Sequence, residues 1–154
     1  MSALIFVFLL GCVAGLRSLT APAVVCWAAH FGWLHLTGTR LAFMNHRATL
    51  TIFTVLAAVE LVVDKLPNTP ARTTPTGMTA RMFFGGLSGA AAGAGVGIIA
   101  YLAATVACMG ALAGAFAGYN VRRMLVLRHL PDFSVALTED VIAILGGLLI
   151  TWRI

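Results

Sequence analysis

The sequence feature that most constrains this chain is a stretch without any charged side chain, which covers residues 82–121 between Arg81 and Arg122. As one helix, these 40 residues would be about 60 Å long, roughly twice the hydrocarbon core of a bilayer. We therefore predict that the stretch crosses a membrane, turns near residues 101–105 and crosses back. Such a hairpin brings its two arginine ends to the same face of the membrane.

Glycines recur at every fourth position in both halves of this hairpin. The seven positions are Gly85, Gly89, Gly93, Gly97, Gly110, Gly114 and Gly118. A face without side chains lets a second backbone approach closely, and close packing holds helices together in lipid. We predict that these glycines form helix-packing faces, within one chain or between the two chains of a homodimer. The alternative is that they line a smooth pathway for a small solute.

The composition agrees with a membrane protein of several spans. Of the 154 residues, 60% are hydrophobic and 10% are charged, whereas a soluble domain carries roughly a quarter charged residues. This length leaves room for one transmembrane domain over residues 1–154. The net charge of +5 comes from bases at the ends of apolar runs, where they set topology and contact lipid headgroups. We therefore predict membrane lipids as partners, and no nucleic acid.

The hydropathy pattern predicts an all-α bundle of about five transmembrane helices. Besides the hairpin, the spans cover residues 3–29, 48–66 and 134–152, and residues 34–44 form a short helix on the membrane surface. The first span exceeds the ~20 residues that a crossing needs, and it contains Arg17 and Pro22. It is either one kinked helix or two half-helices of the kind that line transporter sites.

Five crossings distribute the basic residues unevenly between the two faces. One face receives six bases, which are Lys65, Arg72, Arg81, Arg122, Arg123 and Arg128, and the other receives Arg40, Arg47 and Arg153. The positive-inside rule then places the first face and the N-terminus in the cytoplasm. If the first span is a full hairpin, there is a sixth crossing and the N-terminus lies outside.

A weak internal repeat is also predicted. A glycine-rich span that ends near Arg17 precedes a span with acidic residues, and a glycine-rich span that ends at Arg122 precedes another. Under five crossings the two pairs run in opposite directions, as inverted repeats do.

Ionisable residues on otherwise apolar spans are the candidates for chemistry. We predict a substrate or ion pathway formed by Arg17, Glu60, Asp64, Lys65, Glu139 and Asp140. Charges inside a bilayer are costly, and they usually face the bundle interior or water. The same residues would also serve as a purely structural network, as a proton or cation relay, or as a site for a hard divalent cation. No metal and no cofactor are predicted.

Lipid headgroups are the predicted ligands of a second set of basic residues, Arg72, Arg81, Arg122 and Arg123. They lie in or beside the loop after the second span, which is rich in proline and threonine and therefore stiff. The alternative is that this loop is a rigid strap between helices.

An enzymatic activity is not predicted. The string Gly86-Leu87-Ser88-Gly89 is similar to that of intramembrane serine proteases, but the four histidines all fall in connectors, outside the predicted spans. A serine without a neighbouring base is not an activated nucleophile.

Several strings together resemble a family of small bacterial inner-membrane proteins, domain of unknown function 4126. They are Gly15-Leu16-Arg17-Ser18, then Glu60-Leu61-Val62-Val63-Asp64-Lys65-Leu66-Pro67, and a late Glu139-Asp140. The resemblance implies a location in the bacterial inner membrane and supplies no activity. From the ionisable residues we expect a small transporter or channel-like protein for a small solute or ion. The alternative is a structural or lipid-interacting membrane protein.

Overall fold

The computed structural model describes residues 2–65, 74–128 and 131–154, and these ranges contain helices and no strand. The α-helices are α1 (Ser2–Leu16), α2 (Thr20–His30), α3 (Arg47–Val63), α4 (Pro75–Gly95), α5 (Ala100–Leu127) and α6 (Asp132–Arg153). A 3₁₀ helix covers Ala42–Asn45. The all-α prediction is therefore confirmed.

The first predicted span is broken into two half-helices. α1 ends at Leu16 and α2 begins at Thr20, so the alternative of one kinked helix is not observed. The two halves fold back on each other, because Gly147 of α6 faces both of them. A methyl group added at Gly147 would lie 3.2 Å from a methyl carbon of Val24 in α2 and 3.6 Å from one of Val13 in α1.

The third helix reverses direction again. Trp27, near the end of α2, donates its Nε1–H to Oγ1 of Thr54 in the middle of α3 at 3.1 Å. Ser18, just before α2, contacts Glu60 near the end of α3. These two contacts make α2 and α3 antiparallel.

The remaining helices continue this alternation. A methyl group at Gly85 of α4 would lie 3.0 Å from Cβ of Ala111 in α5, and Gly93 faces Ala103. α4 and α5 are therefore antiparallel, as predicted for the uncharged hairpin. α5 and α6 are also antiparallel, and the side chain of Arg122 contacts that of Asp132 at the start of α6. We call the end of the bundle with Arg17, Lys65 and Arg122 the charged end, and the other end the terminal end.

The turn of the hairpin lies earlier than predicted. α4 ends at Gly95 and α5 begins at Ala100, so the turn covers residues 96–99 rather than 101–105. Gly97 adopts φ +75° there, and a methyl group on it would meet nothing within 4 Å. Gly97 is thus a turn glycine, because only glycine tolerates that φ without strain, and its assignment to a packing face is wrong.

The other glycines of the two ladders lie at helix contacts inside the chain. Gly85, Gly89 and Gly93 of α4 face Ala111, Ala107 and Ala103 of α5, in that order. On another side of α5, Gly110 and Gly114 face Phe8 and Cys12 of α1, and Gly118 is buried. The methyl groups of these alanines therefore face α4, and Gly110 and Gly114 face α1.

The backbones of α1 and α5 are in direct contact. A methyl group at Gly15 would lie 2.6 Å from the backbone N of Ala115, and one at Gly11 would lie 2.8 Å from the backbone C of Ala107. Both positions advance together along the two helices, so α1 and α5 run parallel. The predicted inverted repeat is wrong for this reason, since it requires these two glycine-rich helices to run in opposite directions.

The connector between α2 and α3 inserts three apolar side chains into the bundle at its terminal end. Leu34, Leu36 and Met44 are all buried, and the helical part is limited to Ala42–Asn45. A methyl group at Gly95 would lie 3.2 Å from a methyl carbon of Leu34. The predicted surface helix over residues 34–44 is therefore wrong, because the apolar side chains of this segment complete the core at the terminal end.

Two of the described helices, α5 and α6, are long and apolar enough to cross a membrane. Large hydrophobic side chains also cover the outside of the bundle. For example, Val62 is 64% exposed, Phe83 65% and Leu145 61%. Exposed apolar surface on this scale is typical of a surface that contacts a partner or a membrane.

Candidate functional site

Arg17 occupies the break between α1 and α2 and is fully buried. Its Nη1 pairs with Oδ2 of Asp64, just after α3, and its Nη2 lies 2.5 Å from Oδ1 of Asp140 in α6. A buried charge is tolerated when it is paired and hydrogen-bonded. The break in the first span therefore carries a guanidinium that two other helices neutralise.

Asp140 links Arg17 to a second cation. Nζ of Lys65 lies 2.6 Å from Oδ2 of Asp140 and donates a hydrogen bond to the carbonyl oxygen of Leu61 at 2.9 Å. The side chain of Asp140 is only 6% exposed. We call Arg17, Asp64, Lys65 and Asp140 the ionic cluster.

Glu60 holds the N-terminus of α2. Its Oε1 accepts hydrogen bonds from the backbone N–H of Ser18 at 2.8 Å and from the Ser18 hydroxyl at 2.6 Å, and its Oε2 accepts one from the N–H of Leu19 at 2.8 Å. The first N–H groups of a helix have no partner within it, and the helix dipole favours an anion there. Pro22 adds to this fit, because it has no N–H to satisfy in the first turn.

Arg81 complements the other side of the break. Its Nε donates to the carbonyl oxygen of Gly15 at 3.0 Å, and its Nη1 donates to that of Gly77 at 3.1 Å. A cation at the last carbonyls of a helix interacts favourably with the dipole of that helix. Arg81 is only 6% exposed. Its predicted place among lipid headgroups is therefore wrong, because α4 runs past the break and turns this side chain towards α1.

The neighbouring acid Glu139 is also buried, with 8% exposure. It lies in the wall of a gap between α5 and α6, whereas Asp140 contacts Arg17. Consecutive residues of a helix point in directions about 100° apart. Glu139 and Asp140 therefore face different neighbours.

Arg122 and Arg123 lie near the C-terminal end of α5, at the charged end of the bundle. Nε and Nη2 of Arg122 bind the two carboxylate oxygens of Asp132 at 2.8 Å and 2.7 Å. Arg123 is exposed. Arg72 and the loop around it lie outside the described residues.

The sequence reasoning missed the backbone amides of Ser18 and Leu19 as part of the site. Their signal is the serine directly after Arg17, followed by Pro22, since a polar residue and a proline in the first turn are typical of a helix start. Within the residues that the structure describes, no group of three or more His, Cys, Asp and Glu side chains is arranged to hold a metal ion.

Fold and site define an all-helical protein with an apolar exterior and a buried ionic cluster at a helix break. A family model with the description domain of unknown function (DUF4126) matches residues 4–152, and the chain belongs to this family. No curated protein and no solved structure matches the chain.

Proposed function

We propose that this is a multi-pass protein of the bacterial inner membrane. Two helices with the length and hydropathy of a span, and large apolar side chains on the outside of the bundle, support this location. The alternating directions of α1 to α6 favour six crossings with both termini on the same side, and this replaces the cytoplasmic N-terminus that five crossings predict. The charged end carries the larger number of basic residues, so the positive-inside rule favours its placement in the cytoplasm.

In this arrangement the ionic cluster lies below the cytoplasmic surface. Gly15 contacts Ala115, and Ala115 precedes Arg122 by seven residues, which is about 10 Å along a helix. Arg17 follows Gly15 by two residues and so lies about 8 Å deeper than Arg122. α2, with 11 residues, is about 16 Å long and reaches only part of the way across a bilayer.

We propose that the protein moves a proton or a small cation across the membrane through this site. The observation that carries the proposal is the broken first span, with Arg17 and Glu60 at the break inside an apolar bundle. Half-helix ends at mid-depth are where secondary transporters bind their substrates and coupling ions. Ionisable groups within a membrane are expensive, and they usually mark a pathway.

The charge balance favours a cation over an anion. Around the break lie three positive groups, Arg17, Lys65 and Arg81, and four negative groups, Glu60, Asp64, Glu139 and Asp140. Arg122 and Asp132 neutralise each other nearby. The set therefore has one excess negative charge, and the uptake of one proton or one monovalent cation makes it neutral.

The test is proton flux in proteoliposomes that contain a pH-sensitive dye, and cation flux in proteoliposomes that contain a cation-sensitive dye. We expect Asp64→Asn and Glu60→Gln to lower the flux at least tenfold. Asp132→Asn is the matched control, because Asp132 is an exposed acid at the same end of the bundle, and it should leave the flux within twofold. Unchanged flux in folded Asp64→Asn and Glu60→Gln proteins would refute transport through this site.

A structural or lipid-interacting role is the second candidate. It is favoured by the complete burial of Arg17 between two carboxylates, a geometry that locks three helices together. In that case the same substitutions lower the stability of the protein in detergent, no flux is measured for the wild type, and no cation shifts its melting temperature.

A homodimer is a further proposal, and it concerns faces other than the glycine ladders. Gly85, Gly89 and Gly110 already contact neighbouring helices of the same chain. On α6, a methyl group at Gly146 would meet nothing within 4 Å, so this face offers a close approach to a second copy.

A further inference from the structure

We propose that the gap between α5 and α6 binds an anionic phospholipid, with one acyl chain in the gap and the phosphate at Arg122 and Arg123. This inference does not depend on the transport proposal, because the gap lies beside the ionic cluster and has neither Arg17 nor Asp140 in its walls.

The gap has the size and the lining of a site for an apolar chain. Its volume is about 530 Å³, within the range of roughly 300–1,000 Å³ for small-molecule sites. Its walls are mostly aliphatic and include Leu16, Val121, Leu125, Val135 and Ile142. In a bilayer, a gap of this kind between two helices is filled by lipid.

Small residues on α5 create the gap. Ala117 and Gly118 lie in its wall, where larger side chains would close the space between the helices. Earlier in α5, Gly110 and Gly114 contact α1 instead. The glycine ladder of α5 therefore packs against a helix at two positions and borders the open gap at the next.

Basic groups lie at the charged end of the gap. Asp132 binds Nε and Nη2 of Arg122, which leaves the Nη1 donors of this guanidinium for another acceptor. Arg122 also borders a shallow hollow of about 330 Å³ that includes Tyr119, Arg123 and Leu127. One guanidinium thus lies between an apolar gap and a basic hollow, the order in which a phospholipid presents its chain and its phosphate.

The acids nearby set the orientation of the lipid. Glu139 lies in the wall of the gap, and it follows Asp132 by seven residues, about 10 Å deeper along α6. Its carboxylate disfavours a phosphate in the deeper part of the gap. Arg122 and Arg123 outweigh Asp132 at the outer part, and arginine is well suited to phosphate because it donates two parallel hydrogen bonds.

The experiment titrates detergent-solubilised protein with dioleoyl phosphatidylglycerol or dioleoyl phosphatidylcholine and follows the melting temperature. We expect at least a tenfold higher affinity for the anionic lipid. Arg123→Gln and Arg122→Lys should each lower that affinity at least fivefold. Arg153→Gln, at the terminal end, is the charge control and should change it less than twofold.

A second pair of variants tests the acyl chain. Ile142→Trp fills the gap from α6, and we expect it to weaken binding of the anionic lipid at least fivefold. Leu145→Trp adds the same bulk one turn away, at a residue that is 61% exposed, and should change it less than twofold. Neither position is in the buried core, so both variants should fold.

Three outcomes would overturn the proposal. Equal affinities for the two lipids would exclude a preference of the basic groups for an anionic lipid. If the Ile142→Trp protein binds the anionic lipid as well as the Leu145→Trp protein does, the gap is excluded as the site of the acyl chain. Equal stabilisation by glycerol phosphate, which has no acyl chain, would assign the basic hollow to a soluble phosphate ester instead of a lipid.

Discussion

The contact between α1 and α5 makes a sharp prediction about Gly110. A methyl group at this position would overlap the carbonyl oxygen of Phe8 and would lie 3.1 Å from the backbone N of Cys12. Both neighbours are backbone atoms, so no side-chain rotation relieves the overlap. In a Gly110→Ala protein the two helices must therefore separate by about 1 Å.

The size of the effect follows from the contacts that this separation weakens. A gap of 0.5–1 Å forfeits about a quarter to a half of each van der Waals contact of ~0.1–0.2 kcal/mol, so about fifty atom pairs lose ~2–4 kcal/mol. Alanine regains about 1 kcal/mol through its higher helix propensity. The net loss of unfolding free energy is therefore about 1–3 kcal/mol.

The assay is unfolding in mixed micelles with increasing SDS, followed by circular dichroism. Gly146→Ala is the matched control, because a methyl group there meets nothing within 4 Å. It should gain up to about 1 kcal/mol from helix propensity alone. If Gly110→Ala is as stable as Gly146→Ala, the close contact of α1 and α5 is refuted.

Three further substitutions have expected effects on the same unfolding free energy. Asp140→Asn breaks a buried pair and should cost about 3–5 kcal/mol; a loss below about 1 kcal/mol would contradict its contacts with two cations. Trp27→Phe removes the hydrogen bond to Thr54 and should cost about 1 kcal/mol, whereas Thr54→Val should reproduce that loss. Arg122→Gln removes an exposed ion pair with Asp132 and should cost less than about 1 kcal/mol, a value that high salt should reduce further because it screens exposed charges.

The sequence predicted the uncharged hairpin because its length and hydropathy leave few alternatives. It misplaced the turn because residue spacing does not distinguish two uses of glycine. Gly97 continues the four-residue ladder of Gly85, Gly89 and Gly93, yet it is required for its positive φ. A close approach and a left-handed turn both select glycine, and only the backbone shows which of the two applies.

The site was predictable in composition and less so in arrangement. The sequence identified Arg17, Asp64 and Asp140 as candidates because they are charged residues on apolar spans. The structure brings these three side chains together. The sequence could not separate Asp140 from Glu139, because the rotation of α6 depends on packing. It also could not predict the burial of Arg81, which depends on the depth at which the first span breaks.

The complementary partners of the helix break bear on the order in which the chain acquires its final structure. Glu60 accepts the hydrogen bonds of the Ser18 and Leu19 amides, and Arg81 donates to the carbonyl oxygen of Gly15. These three backbone groups have no such partner until Glu60 and Arg81 have been synthesised. In hydrocarbon each unsatisfied backbone group costs several kcal/mol. The hairpin of α1 and α2 leaves the ribosome first, but it acquires its final hydrogen bonds only after α3 and α4 have been synthesised.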